Sequence, residues 1–273
     1  EAGLPSGVLN VVHGNASVAQ AIVEHPDVVG VSFVGSSSVA RDVYARAGLA
    51  GKRVQALGGA KNHMVVLPDA DLDLATDSAV SSIFGSAGQR CLANSILVGV
   101  GEAYDRLRVG LLDRASSLPV GYGLDRGTFM GPVISRRHRD RVVGLIDQGE
   151  REGASVVLDG RGFQVDGYPE GHWVGPTILE GVEPGMSVGQ EEIFGPVAGL
   201  TRADSVEDAI TLMHEIGYGN ATSIFTTSGR AARDFRYHAG ISMIGVNIGV
   251  AAPMACFPFG GSRGSFYGDL KAQ

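Results

Sequence analysis

The sequence predicts an α/β protein in which short strands alternate with helices. Apolar runs rich in β-branched residues, such as residues 28–33, are typical of buried strands. Segments with apolar residues three or four positions apart follow several of these runs, and that spacing indicates helices. Because strands and helices alternate along the chain, parallel strand pairing in βαβ units is favoured.

The individual elements follow from these patterns in chain order. Apolar runs bounded by glycine, proline or aspartate predict strands over residues 8–12, 28–33, 53–57, 63–67, 95–100, 155–158, 176–179, 197–201, 222–226 and 243–247. Helical spacing predicts helices over residues 16–24, 39–48, 72–86, 103–117, 135–152, 205–216 and 229–238. Asp204 or Ser205 is the predicted N-cap of the helix over 205–216. Residues 121–132 are predicted as loop, and residues 159–173 as an exposed hairpin or insertion.

Composition and charge exclude several classes of partner. The 273 residues carry a net charge of −7 and no block of lysine or arginine, so nucleic acid and anionic membrane are not expected as partners. The most apolar stretch, residues 248–259, is too short to span a bilayer and is interrupted by two prolines. Cys91 and Cys256 match neither metal nor disulfide spacing, so no metal is predicted and a reducing, cytoplasmic compartment is expected.

The candidate nucleophile lies in the stretch Phe84-Gly85-Ser86-Ala87-Gly88-Gln89-Arg90-Cys91. A thiol beside a fixed positive charge and close to exposed backbone N–H groups is expected to have a lowered pKa, and the thiolate is the reactive form. Arg90 could lower the pKa of Cys91, bind a substrate carboxylate through its planar guanidinium, or do both. The alternative is a buried structural cysteine, since free cysteine is among the most buried residue types.

Two further motifs suggest a dinucleotide site. Phe33-Val34-Gly35-Ser36 lies at a predicted strand-to-helix junction, where backbone N–H groups bind anions and glycine allows a phosphate to approach closely. An ordinary βα turn without a ligand is the alternative. Glu192 precedes the rigid sequence Ile193-Phe194-Gly195-Pro196, and its carboxylate could hold the two hydroxyls of a ribose. By residue type alone it could equally be a surface glutamate.

Other catalytic classes lack their partners in this sequence. A Cys/His protease needs a histidine beside the thiol, and none of the seven histidines has a sequence context that points to Cys91. A zinc site fails because the ligand spacing is absent.

The order of the motifs resembles the aldehyde dehydrogenase superfamily over nearly the whole chain. Any one motif is weak evidence, whereas nine in the same order are specific. In chain order they are Gly3-Leu4-Pro5 with residues 7–12, Phe33-Val34-Gly35-Ser36, Leu57-Gly58-Gly59, Gly88-Gln89-Arg90-Cys91, Gly131-Pro132, Pro176-Thr177, Glu192-Ile193-Phe194-Gly195-Pro196, Val246-Asn247 and Pro258-Phe259-Gly260-Gly261.

The resemblance implies roles for particular residues. Cys91 would form a thiohemiacetal with an aldehyde and then a thioester, and its backbone N–H would be one oxyanion donor. NAD would be the cofactor, with its pyrophosphate at Gly35 and Ser36. Glu192 and Phe194 would hold the nicotinamide ribose and ring. Phe33, Leu57 and Gly58 complete the predicted cofactor-binding residues.

One departure from the superfamily pattern bears on the acyl acceptor. Most hydrolytic members have a glutamate before Leu-Gly-Gly, as general base for the deacylating water, and here that position is Ala56. A methyl group cannot activate water, so the resemblance implies an acylating enzyme that transfers its acyl group to coenzyme A (CoA). Residues 55–66 and the Arg90-Cys91 pair resemble the methylmalonate-semialdehyde dehydrogenase family, in which Arg90 would bind the substrate carboxylate.

The resemblance also sets the expected reaction and organisation. Malonate or methylmalonate semialdehyde, CoA and NAD would give acetyl- or propionyl-CoA with loss of the carboxylate. The predicted fold is a partial Rossmann-like cofactor domain (residues 1–59, with residues 254–273 returning to it) and an α/β catalytic domain (residues 60–253). Without the superfamily's N-terminal part and final tail, we expect little NAD turnover by this chain alone. A homodimer or homotetramer is expected at full length.

Two other functions remain open at this point. One is a hydrolytic aldehyde dehydrogenase that uses a different base, and the other is an inactive fragment that acts only in binding or oligomerisation. The intact Cys91, Glu192 and Gly35-Ser36 argue against the second for the parent protein.

Overall fold

A computed structural model describes residues 3–268, which form helices around one large sheet and two small ones. The helices are α1 (Ala16–Glu24), α2 (Ser37–Leu49), α3 (Leu72–Phe84), α4 (Ala103–Ser116), α5 (Arg136–Arg151), α6 (Ser187–Gln190), α7 (Val206–His214) and α8 (Gly229–His238). The strands are β1 (Gly30–Val34), β2 (Arg53–Leu57), β3 (Asn62–Val66), β4 (Asn94–Val100), β5 (Ser155–Leu158), β6 (Thr177–Glu180), β7 (Val197–Ala203), β8 (Tyr218–Gly219), β9 (Ala221–Phe225), β10 (Met243–Val246), β11 (Ser262–Arg263) and β12 (Phe266–Gly268).

The largest sheet has seven strands in the order β10-β9-β3-β4-β7-β6-β5. Every neighbouring pair in it is parallel except β5 with β6. Its central strands β3, β4 and β9 are buried over almost their whole length because both faces of a parallel sheet are covered. The main hydrophobic core packs around them, with Phe84, Leu97, Leu107 and Phe225 almost completely buried.

A second sheet brings strands β1 and β2 together with β12, the last described strand. β1 pairs with β2 in parallel, and β12 pairs with β2 in antiparallel fashion. Ala40, Val43 and Ala47 of α2 pack on this sheet in a small separate core. The α/β fold prediction is confirmed. The limits of the three predicted domains remain a prediction.

The predicted strand over residues 8–12 is wrong. These residues form no strand, and Val8, Leu9, Val11 and Val12 are at least 64% exposed. A β-branched run forms a stable strand only when a neighbouring strand satisfies its backbone hydrogen bonds, and no described strand lies beside this one.

The predicted helix over 72–86 ends earlier, at Phe84. Gly85–Gly88 form a 3₁₀ turn in which Ser86 and Ala87 have φ of 54° and 53°, outside the right-handed helical region. Residues 159–173 form an irregular insertion without a hairpin. The other predicted strands and helices are present, with ends within two residues of the prediction, and Ser205 is the N-cap of α7. The short elements α6, β8, β11 and β12 were not predicted.

Among residues 3–268, no helix is both long enough and apolar enough to cross a membrane.

Candidate active site

A cavity of about 750 Å³ opens between the three-stranded sheet of β1, β2 and β12 and the seven-stranded sheet. It brings together most of the residues that the sequence singled out, although they are far apart in the chain. Its lining consists of Val34, Gly35, Ser36, Gly58, Gln89, Arg90, Cys91, Leu92, His138, Arg141, Glu192, Phe194, Val250 and Ala252. Phe33 and Leu57 are not part of the lining. The Phe33 ring packs against Gly35, and the carbonyl of Leu57 accepts a hydrogen bond from the Gly35 N–H.

Cys91 lies in the short connection between the 3₁₀ turn and β4, and it is only partly exposed. Two asparagine side chains hold its backbone in place. The Nδ2 atoms of Asn62 and Asn220 each donate to the Cys91 carbonyl at 2.8 Å. Asn62 also accepts a hydrogen bond from the Ala221 N–H at 3.0 Å. The backbone that carries the thiol is therefore fixed to the ends of β3 and β9.

The electrostatic environment of Cys91 differs from the expectation. Burial raises the pKa of the Cys91 thiol, and the charge of Glu192 raises it further. The backbone N–H groups of Cys91 and Leu92 oppose this by lowering the pKa, but they are the smaller effect. The predicted lowering of the thiol pKa by Arg90 is wrong, because the net direction is upward and Arg90 is not among the causes.

Arg90 is held by the backbone at the end of α3. Its Nη2 donates to the Ser81 carbonyl at 2.6 Å and its Nε to the Gly85 carbonyl at 3.3 Å. Within residues 3–268, Nη1 makes no hydrogen bond. Burial lowers the pKa of the guanidinium, which nevertheless stays charged at neutral pH. The side chain therefore offers a fixed positive group at the cavity wall.

Two glycines allow this arrangement. A Cβ at Gly85 would overlap Nη2 of Arg90. Gly88 has a φ of 69°, and a Cβ there would collide with the carbonyl of Gly195. Gly88 therefore lets the loop that carries Cys91 pack directly against the loop that carries Glu192.

We expect Gly88→Ala to destabilise the protein by about 2 to 4 kcal/mol, since it adds left-handed strain to a backbone collision. The midpoint of urea unfolding measures this effect. Gly144→Ala is the matched control, because Gly144 lies in α5 and the added methyl group would have no neighbouring atom within 4 Å. It should be neutral or slightly stabilising. Equal unfolding midpoints for the two variants would contradict the role given to Gly88.

Glu192 lines the same cavity as the Cys91 thiol. Burial raises the pKa of its carboxyl group to about 7, while the Ala60 N–H and the charges of Lys61 and Arg141 act in the opposite direction. A Cβ at Gly59 would lie 2.7 Å from Oε2 of Glu192, so only glycine leaves room for the carboxylate there. Phe194 follows with a φ of 56° and is 37% exposed.

The anion site predicted at Gly35 and Ser36 forms the N-terminal end of α2. Ser36 is the N-cap of this 13-residue helix, and its side chain makes no capping hydrogen bond. Ser37 Oγ donates to the Gly264 carbonyl at 2.6 Å and accepts from the Gly59 N–H at 2.8 Å. These bonds join three chain segments beside the cavity. The first N–H groups of the helix provide the positive end that binds phosphate.

Sequence reasoning missed four residues around the thiol and Glu192, namely Lys61, Asn62, His138 and Arg141. The first two belong to the polar run Lys61-Asn62-His63, which enters an otherwise apolar buried strand. Polar groups at such a position need partners, and that signal was available in the sequence. His138 and Arg141 lie in the helix predicted over residues 135–152, and only the fold shows that they reach the cavity.

Ala56 does not reach the cavity. Its methyl group is fully buried in the small core against α2. Of the residues that line the cavity, Glu192 is the one that carries a carboxylate.

The sequence model of the aldehyde dehydrogenase family matches residues 1–273. The chain belongs to this family. It is 49% identical, over 273 residues, to malonate-semialdehyde dehydrogenase 2 of Geobacillus thermodenitrificans (strain NG80-2), covering 100% of this chain and 56% of that protein. The chain thus spans about half the length of the curated relatives it matches.

Solved structures give the same fold. A structure described as that of a putative methylmalonate-semialdehyde dehydrogenase from Sinorhizobium meliloti 1021, complexed with NAD, superposes with a TM-score of 0.96. It is 45% identical, and the match covers 98% of this chain and 55% of that one. An aldehyde dehydrogenase of Mycobacterium tuberculosis complexed with NAD⁺ has a TM-score of 0.92 at 34% identity, covering 98% of this chain and 55% of that one.

Proposed function

We propose that the protein oxidises malonate or methylmalonate semialdehyde with NAD and CoA, giving acetyl- or propionyl-CoA. The observation that carries this proposal is a single cavity lined by a thiol, a fixed guanidinium and a helix N-terminus. The relatives that are named malonate- and methylmalonate-semialdehyde dehydrogenases support the choice of substrate.

The residues present fit the nicotinamide end of a dinucleotide. Ser36 offers its backbone N–H to a pyrophosphate at the start of α2, and Gly35, whose own N–H donates to the Leu57 carbonyl, lines the cavity beside it without a side chain. Gly58 has no room for a side chain, because a Cβ there would lie 2.5 Å from the Gly264 carbonyl. Glu192 would accept hydrogen bonds from the ribose, and Phe194 would lie against the ring. When bound, the nicotinamide supplies a hydride acceptor.

This chain supplies the thiol that reacts with the aldehyde, that of Cys91. The Cys91 thiolate attacks the aldehyde carbon and forms a thiohemiacetal, and the backbone N–H groups of Cys91 and Leu92, which lower the pKa of the thiol, favour that thiolate. Loss of hydride from that carbon leaves a thioester on Cys91. Because burial and Glu192 raise the thiol pKa, a protonated Glu192 favours the thiolate more than an ionised one.

Release of the acyl group is assigned to CoA because of Ala56. A buried methyl group can neither orient nor deprotonate water. A thiol is a stronger nucleophile than water at neutral pH and attacks the thioester without that base. The carboxylate that Arg90 binds during oxidation then leaves as carbon dioxide. The electron pair of the broken carbon–carbon bond forms a thioester enolate, which takes up a proton at carbon, so the acyl group transferred is acetyl or propionyl.

The requirement for CoA gives a direct test. Without CoA, we expect the full-length protein to form about one NADH per active site in a burst and then to turn over at least about 100-fold more slowly, since a general base contributes about 10²–10⁴-fold. Stopped-flow absorbance of NADH measures both phases. Sustained full-rate turnover to the free acid without CoA would contradict the proposal.

A hydrolytic reaction is the second candidate, and Glu192 favours it. Its carboxyl group lines the cavity with a pKa near 7, which suits a general base at neutral pH. If Glu192 activates water, the burst experiment gives continuous turnover without CoA, and Glu192→Gln restores the burst. The two functions therefore predict opposite results in one assay.

A further inference from the structure

Residues 248–252, which we call the wall segment, form one side of the active-site cavity. Val250 and Ala252 line the cavity together with the thiol. Val250 and Cys91 also pack against the same small buried cluster, which contains Leu92. When the thiol has attacked an aldehyde, a single atom separates the next carbon of the substrate from the sulfur. Substituents on that carbon therefore lie close to the side chains around Cys91, and the wall segment limits the space they have.

One side-chain hydrogen bond ties the wall segment to the rest of the fold. Nδ2 of Asn94 donates to the carbonyl of Gly249. Among the described residues, no other hydrogen bond joins the wall segment to another element. The Ala252 N–H donates within the segment, to the Val250 carbonyl. The position of this side of the cavity therefore depends on Asn94.

Asn94 is itself held rigidly. It is the first residue of β4, and it is 3% exposed. Its backbone N–H donates to Oγ of Ser82 at 2.9 Å, and Nδ2 donates to the same oxygen at 3.1 Å. Ser82 lies in α3 and is completely buried. Both hydrogens of the amide nitrogen are thus used, one for Ser82 and one for Gly249, so the direction of the bond to the wall segment is fixed.

The backbone of the wall segment also lies directly on α3. A Cβ at Gly249 would be 2.6 Å from the Ser78 carbonyl, so no side chain separates the segment from the helix. The preceding residue but one, Asn247, is fixed as well. Its Oδ1 accepts from the Thr226 N–H at 3.0 Å, and its Nδ2 donates to the Thr226 carbonyl at 3.1 Å. The segment therefore starts from a fixed residue and is attached to the core again at Gly249.

We propose that Asn94 is a positioning residue for substrate selectivity. By holding the wall segment against α3, it limits the size of the substituent that the aldehyde can carry on the carbon next to its carbonyl. A fixed surface rejects an added methyl group by overlap, whereas a surface that can move accommodates it. The proposal rests on the proposed function for the identity of the aldehyde, but the bonds that fix the wall segment do not depend on it.

The test compares malonate semialdehyde with methylmalonate semialdehyde, which differ by one methyl group on that carbon. The full-length protein and its Asn94→Ala variant are mixed with NAD and each aldehyde without CoA, and the burst of NADH is followed by stopped-flow absorbance. The ratio of the second-order rate constants, methylmalonate over malonate semialdehyde, should rise about three- to tenfold in Asn94→Ala, which is part of the 10–200-fold that one methylene is worth in an apolar pocket. The change should lie in the half-saturating concentration and not in the maximal burst rate, because the wall segment contacts the bound aldehyde before and during oxidation alike.

A second substitution tests the route through the wall segment. Val250→Ile adds a methylene group to the fixed surface and should lower the same ratio by about threefold or more. In an Asn94→Ala background, Val250→Ile should have a smaller effect, because the segment can then move away. Equal effects of Val250→Ile in the two backgrounds would contradict the proposal.

Two further variants separate selectivity from stability. Ser82→Ala removes the oxygen that orients the Asn94 amide and should raise the ratio less than Asn94→Ala, and it serves if Asn94→Ala does not fold. Thr76→Ala is the matched control, because Thr76 is buried in α3 and its hydroxyl donates to the Leu72 carbonyl at 2.6 Å, away from the cavity. It should lower stability without changing the ratio.

Alkylation of Cys91 in the absence of aldehyde provides a readout that does not need the proposed function. The rate with N-ethylmaleimide, relative to that with the smaller iodoacetamide, should rise about two- to fivefold in Asn94→Ala, because the bulkier reagent gains more from a movable wall segment. If the unaltered protein oxidises neither aldehyde, the proposed function fails and the alkylation ratio still decides the role of Asn94. Unchanged ratios in Asn94→Ala, or the same change in Thr76→Ala, would overturn the proposal.

Discussion

Replacing Cys91 by alanine should lower kcat by at least about 10³-fold, since removal of a covalent nucleophile has effects of that size or larger. Within residues 3–268, Cys91 supplies the sulfur nucleophile on the cavity wall. The side chains of Asn62 and Asn220 hold its backbone in place. Steady-state NADH formation by the full-length protein measures the loss.

Two controls make this result specific. NAD affinity, measured by calorimetry, should be unchanged in Cys91→Ala, which shows that the cavity persists. Cys256→Ala should retain full activity, because Cys256 is exposed and does not line the cavity. If Cys91→Ala keeps its activity, the nucleophile lies elsewhere. If the unaltered full-length protein has no activity, the inactive binding module becomes the better interpretation.

Replacing Arg90 by leucine should lower kcat/KM for malonate semialdehyde by about 100-fold, because hydrogen bonds to a charged group contribute about 1.5–3 kcal/mol each. Within the described residues Nη1 of Arg90 makes no hydrogen bond and can bind that carboxylate, while Nε and Nη2 donate to the carbonyls of Gly85 and Ser81. For propionaldehyde, which lacks the carboxylate, the change should be less than about threefold. Comparing the two substrates on each variant gives the measurement.

Gly85→Ala tests the same role without removing the charge. The added methyl group would overlap Nη2 of Arg90 and displace the guanidinium, so the loss should again be confined to the carboxylated aldehyde. Arg90→Lys should recover part of the activity, since lysine keeps the charge but not the planar donor geometry. Equal losses for both aldehydes in Arg90→Leu would remove Arg90 from substrate recognition.

The sequence allowed the fold to be predicted wherever the pattern was local. Strand β2 and helix α8 agree with the prediction at both ends because their apolar spacing and their caps lie within the segment itself. Residues 8–12 failed because a strand also depends on a neighbour, which their own composition cannot reveal. Helix α3 ended early because Ser86 and Ala87 adopt positive φ, a conformation that their residue types do not signal.

The sequence allowed several residues of the site to be predicted, but not the direction in which the pKa of Cys91 is shifted. Cys91, Glu192 and Gly35 could be chosen from motifs, and all three reach one cavity. Local sequence places Arg90 next to the thiol and suggests a lowered pKa, yet the guanidinium is bound to the Ser81 carbonyl and the pKa of Cys91 is raised. The pKa of Cys91 is instead governed by burial and by Glu192, which is distant in the chain. Effects of that kind require the tertiary structure.

The two asparagines on the Cys91 carbonyl have an effect beyond holding it in place. Two amide donors, from Asn62 and Asn220, draw electron density towards that oxygen, and the same peptide unit ends in the Leu92 N–H. Hydrogen bonds that share a peptide group strengthen one another, so the Leu92 N–H becomes a better donor to the neighbouring sulfur. The thiolate is therefore stabilised through the polarised peptide unit, by two neutral amide groups that bind its carbonyl oxygen.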